Sequence, residues 1–138
     1  MSVGASSLPC VTRPTLDTLL RECAERGVCV RWGHLPGEMA GCYDHSQSTI
    51  WLREGDPEWV SVPALMHELE HAWRGDDGHQ SDAVEARIDL AVARQLVSVN
   101  ALEEAEYEVG PWPGAIAEEL GVPVWVVQAL QATLDPWD

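Results

Sequence analysis

A handful of residues in this chain have the types and spacing to do chemistry together. The stretch Ala64-Leu65-Met66-His67-Glu68-Leu69-Glu70-His71-Ala72-Trp73-Arg74 contains the pattern His-Glu-x-x-His. On an α-helix, His67 and His71 stand one turn apart on one face, so both imidazoles can meet one ion. Glu68 projects beside them, where a carboxylate can take a proton from water that the ion has made acidic. A His- and Glu-rich helix also produces this pattern by coincidence, so its meaning depends on a third ligand.

The next helical segment offers one. Stepping by four and three residues from Glu85 reaches Asp89, Val92, Leu96 and Val99, so two carboxylates open a stripe that is otherwise apolar. Like charges at this spacing repel, and burying them unpaired costs far more. A divalent ion with two imidazoles beside it removes that penalty; the simpler account places both carboxylates at the wet edge of the core. Catalytic zinc takes three protein ligands and keeps one open position. His67, His71 and Glu85 would be the three. Asp89 would hold a ligand imidazole by its second ring nitrogen, or bind the ion itself if the helix were rotated. Manganese or iron suits the same donors with less preference. Arg74 and Asp77 occupy the places where a metzincin carries Gly and a third His, which rejects that class. His79 stands in a polar loop within reach, where a histidine is more often simply solvated. Tyr43, His45, His34 and Tyr107 are candidates for stabilising an oxyanion. Trp32, Trp51, Trp59, Trp112 and Trp137 could line a substrate groove, although packing is the commoner fate of such residues.

These groups need elements to position them. Residues 12–26 read as a helix with Leu16, Leu19, Leu20 and Cys23 at helical spacing, closed by Gly27. Three short strands are expected around 28–32, 40–43 and 49–53, as a small antiparallel meander in front of the metal helix. That helix is expected to start at Ser61 as N-cap, with Pro63 in its first turn, and to end at Gly75. Glu70 and Arg74 stand at i,i+4 in the order that favours a surface ion pair. Ser81 or Asp82 caps the helix carrying Glu85. A short acidic helix follows over 100–108. Residues 115–134 then have the rhythm of a helix-turn-helix, but the second helix lacks the basic side chains that would reach phosphates.

Composition narrows the partners. The chain has 138 residues and a formal charge of −15, with seven Trp and no Phe. At this length one domain is expected, with residues 1–11 a loose N-terminal segment and 111–138 a helical extension. All eight basic residues are Arg, and residues 95–138 carry eight acidic residues and no basic one. That field disfavours nucleic acid and anionic membrane as direct partners, and favours metal or a basic protein surface, unless it serves solubility alone. No basic segment followed by an apolar one opens the chain, so no signal peptide is expected and the cytoplasm is the expected location. The four cysteines form no Cys-x-x-Cys pair and are expected to be thiols, several of them buried.

Taken together, Ile50-Trp51-Leu52, the stretch from Leu65 to Asp76, and the stretch from Val84 to Val97 with its Glu85-Ala86 and Ala91 resemble the ImmA/IrrE family of small intracellular metallopeptidases, in the version carried by phages and prophages. The resemblance covers residues 28–98 well and the Leu120-Gly121-Val122-Pro123 region loosely. It implies a compact α+β fold with the motif helix under a small sheet. It also implies that Glu85 is the third zinc ligand, and that the activity is site-specific cleavage of a transcriptional repressor. The competing expectation is a zinc-stabilised interaction module that sequesters a regulator without cutting it.

Overall fold

The computed structural model describes residues 12–133. The expectations placed on residues 1–11, Trp137 and the rest of 134–138 lie outside the described residues. The described chain is α+β, with six α-helices and a three-stranded sheet. Helix α1 spans Leu16–Glu25, with the Thr15 side chain capping its first turn. Strands β1 (Cys29–Gly33), β2 (Gly41–Asp44) and β3 (Thr49–Arg53) follow. Then come α2 (Glu58–Arg74), α3 (Asp82–Leu96), α4 (Val99–Val109), α5 (Pro113–Leu120) and α6 (Val124–Thr133).

The sheet differs from the expected antiparallel meander. Its order is β1-β3-β2, with β1 parallel to β3 and β2 antiparallel to it. The connections explain this. Between β2 and β3 a single 3₁₀ turn, His45–Gln47, and Ser48 in the left-handed region reverse the chain tightly. The segment between Gly33 and Gly41 is too long for a tight hairpin, and it carries the chain past β3's position so that β2 occupies the far edge. β3 is paired on both sides, and its Thr49, Ile50 and Leu52 are buried.

Helix α2 runs through the middle of the molecule, against the sheet, α1 and α3. Leu65 and Leu69 are wholly buried, each stabilising the fold by about 1.5–3 kcal/mol. The helix begins at Glu58, earlier than the expected Ser61. Pro57 is its N-cap, and Ser61 is a buried interior residue. Pro63 lacks the N–H that would reach the Trp59 carbonyl, a loss tolerable near a helix start. Gly75, with φ of 74°, turns the chain out of the helix, a conformation open to glycine at little cost. Helix α3 is capped by Ser81, whose side chain accepts from the Val84 N–H. Helix α6 packs on α3, and α5 packs on α4 and α6; their Ile116, Val126, Val127 and Leu130 belong to the same core cluster as Leu65 and Leu69. Among the described residues, no helix is long and apolar enough to cross a membrane.

Candidate metal centre

Two helices build the centre. The i,i+4 rung of α2 carries His67 and His71, and the first turn of α3 carries Glu85. Their donor atoms all lie within 4.8 Å of one another, so this group could hold a metal ion. His67 Nε2 is 2.9 Å from Glu85 Oε1, and His71 Nε2 is 3.2 Å from the same carboxylate. Two donors held about 2.1 Å from one tetrahedral ion stand roughly 3.4 Å apart, so the two imidazole–Glu85 separations are close to those of one coordination sphere.

Proton inventory gives an independent test of the fit. His67 Nδ1 lies 2.9 Å from Asp89 Oδ1, and His71 Nδ1 lies 2.9 Å from Asp76 Oδ2. A neutral imidazole has one N–H to give. If each ring donates from Nδ1 to its carboxylate, both Nε2 lone pairs face the lone pairs of Glu85. Relieving that repulsion with protons alone would require two further protons shared between the carboxylates and the two rings, whose centroids are 5.0 Å apart. A divalent cation between the Nε2 atoms and Glu85 satisfies every one of these groups with each ring neutral. The donor set therefore fits a metal.

Around the donors, burial and charge act in opposition. Burial lowers the pKa of His67, but the hydrogen bond to Asp89 and the charges of Glu68, Asp89 and Glu85 outweigh it and hold the ring above its ordinary value. The Glu68 carboxyl is pushed above the usual carboxylate range, chiefly by burial. His67 and His71 pull it down, Glu85 pushes it up, and a hydrogen bond from the Tyr43 backbone pulls it down. A raised carboxyl is closer to the proton affinity that a general base needs near neutrality. Strand β2 passes directly over this side chain. A Cβ at Gly41 would come within 3.2 Å of Glu68 Cγ and 3.4 Å of the Trp51 carbonyl oxygen, so only glycine allows this approach without displacement.

The donors open onto a cleft of about 480 Å³ whose lining includes Met39, Gly41, Cys42, Tyr43, Glu68 and His79. Tyr43 thus lies on the cleft wall, with its hydroxyl 3.1 Å from His45 Nδ1. His45 itself sits in the exposed turn and does not line the cleft. His79 lines it without joining the donor group. His34 is exposed and absent from the lining, and Tyr107, 89% exposed on α4, is absent as well. Trp32, Trp51, Trp59 and Trp112 are not among the cleft residues. Among the described residues, the tryptophan that does reach the centre is Trp125 of α6, whose ring meets His67 edge to face at 5.9 Å.

Three features lay beyond the sequence. The first is Asp76 on His71. Arg74 Nε donates to the same Oδ2 at 2.8 Å, and not to the expected Glu70. Burial raises the Asp76 carboxyl, but the Arg74 guanidinium and the His71 ring together hold it below the usual range. The second is Trp125, and the third is the close passage of Gly41. Asp-after-Gly at a helix end is the one local signal that could have pointed to Asp76. Of the described cysteines, Cys23 is buried, Cys42 lines the cleft and Cys29 is exposed, and all three are free thiols. The sequence matches no family model, and no curated protein matches it significantly.

Proposed function

We propose that this chain is a zinc-dependent endopeptidase of the ImmA/IrrE kind, acting in the cytoplasm on a regulatory protein, a phage or host transcriptional repressor. The observation that carries this reading is the pairing of a three-donor group with a buried carboxylate, Glu68, on the same cleft. Two imidazoles and one carboxylate are a donor set suited to zinc.

When bound, the ion supplies Lewis acidity to water and to the carbonyl of the peptide to be cut. Glu68 takes the water proton as the water oxygen attacks that carbonyl, and passes it to the departing amine. Its raised pKa favours holding the proton between the two events. Asp89 and Asp76 keep the two imidazoles in the Nδ1–H tautomer, leaving both Nε2 lone pairs for the ion. β2 is an edge strand beside the cleft, so an extended peptide can align along its free backbone groups. The passage of Gly41 over Glu68 brings that edge to the base.

The test combines metal analysis with one substitution. Protein purified without added zinc should carry about one equivalent of it. Glu68→Gln should keep the metal and abolish cleavage, both of a proteome-derived peptide library and of repressors encoded beside the gene. The acidic surface, with its charge of −15, supports the second reading, in which the protein sequesters a basic regulator. If Glu68→Gln still releases a repressor from its operator, sequestration replaces proteolysis.

A further inference from the structure

The two imidazoles of the centre are held by carboxylates of different origin. Asp89 reaches His67 Nδ1 from the helix rung after Glu85. Asp76 reaches His71 Nδ1 from outside any helix, and three backbone facts put it there. Gly75 adopts a left-handed conformation at the end of α2. The Gly75 N–H then donates to the Ala72 carbonyl at 3.1 Å, and the Asp76 N–H donates to the carbonyl of His71 at 3.0 Å. The chain is thereby folded back along its own last turn. Asp76 thus holds His71 twice, by its main chain at the His71 carbonyl and by its side chain at the ring.

We propose that the C-terminal cap of α2 is a positioning device for the metal site, in which Asp76, loaded by Arg74, fixes the orientation and tautomer of His71 and contributes more to metal affinity than Asp89 does. This rests on the metal-centre reading above. Exposure supports the ranking. The Asp76 side chain is 11% exposed and lies on a His71 side chain that is 9% exposed, whereas Asp89 is 35% exposed on a His67 that is 17% exposed. A charge-assisted hydrogen bond is stronger where water competes less. Arg74 Nε occupies the same Oδ2 that faces the ring, which anchors that oxygen and restrains the carboxylate from rotating away. Arg74 and Asp76 are positioning residues. Neither belongs to the donor group.

Zinc dissociation constants of the full chain, measured by competition with a chromophoric chelator, test this. The visible spectrum of the cobalt-loaded protein and the melting temperature of the metal-free protein are recorded alongside. Outer carboxylates on ligand histidines typically change metal affinity about 10- to 100-fold. Asp76→Ala is expected near the upper end of that range and Asp76→Asn, which keeps an acceptor but not the charge, near the lower. Asp89→Asn should lose less than Asp76→Asn, and Arg74→Ala about 2- to 5-fold, as expected for loss of one partly exposed ion pair. The cobalt bands should shift in Asp76→Asn, which a purely structural cap would not produce, while the metal-free melting temperature reports separately the stability lost with the Arg74 ion pair. An Asp76→Asn affinity within about twofold of the wild type, or a larger loss in Asp89→Asn, overturns the proposal while leaving the metal centre standing. Failure of the wild type itself to bind zinc or cobalt overturns both.

Discussion

Helix α2 borders two hollows of opposite character. Its C-terminal half opens onto the cleft of about 480 Å³ that holds His67, Glu68 and His71. Its N-terminal turn contributes Trp59, 53% exposed, to a larger groove of about 750 Å³ lined by Ala117, Val122, Pro123 and Val124, with Glu118 the one charged lining residue among the described residues. By size alone the groove would be the site. By chemistry the cleft is the better candidate, because its polar atoms converge on a point while the groove's lining has nothing to converge. Volume records where atoms are missing, whereas a reaction needs donors, acceptors and a base at fixed separations.

The sharpest way to break that comparison is to remove one carboxylate from each hollow. Glu85→Ala should weaken zinc binding by more than about 100-fold, beyond the effect of outer-sphere changes, since a donor itself is lost. Glu118→Ala should leave the affinity unchanged in the same chelator competition, and equal losses would dissolve the distinction. Next in size is Gly41→Ala, whose methyl must displace Glu68 or β2. Cleavage should fall roughly 10- to 100-fold, as small misplacements of reacting groups do, with metal content intact. A loss of metal instead would mean that β2 supports the donors and not the base.

Thiol chemistry probes the surroundings more gently. Burial, then the charges of Glu68 and Asp44, push the Cys42 thiol up, while burial chiefly raises Cys23 from 9.0 to about 11. With iodoacetamide at pH 8, Cys29 should react first and Cys42 more slowly, with Cys23 protected until unfolding. Because the folded pKa of Cys23 is the higher one, its contribution to stability is fully present below the ordinary thiol value and disappears as pH rises through about 11. Cys23→Ala should remove that alkaline component from the melting profile. The smallest expected effect is that of Trp59→Ala, which should change neither zinc affinity nor, by more than about 0.5 kcal/mol, stability, as for most exposed positions.

The two helices of the centre were legible because a helix converts spacing into direction. His67 and His71 share a face by their interval of four, as do Glu85 and Asp89, and an acidic pair heading an apolar stripe signals a need for compensation. What periodicity cannot encode is where one element meets another. Asp76 acts through a cap whose geometry depends on φ at Gly75, and Arg74 follows it instead of the nearer helical partner Glu70. Trp125 reaches His67 only because α6 packs on α3. Strand order escaped for the same reason. The segments of β1, β2 and β3 could be read from their residues, but alternation within a strand does not say which neighbour it takes, and the long passage from Gly33 to Gly41 decided that.

The mixed sheet also sets an order of events. β2 and β3 are adjacent in sequence and joined by one tight turn, so their pairing closes a short loop and can form early. Pairing β1 with β3 closes the longer span from Gly33 to Thr49, a closure with a larger entropic cost. In a mutational study of refolding, substitutions at Tyr43 and Ile50 should slow folding, whereas those at Val30 should mainly speed unfolding. The edge that passes over Glu68 would then be assembled before the molecule has a core to hold it.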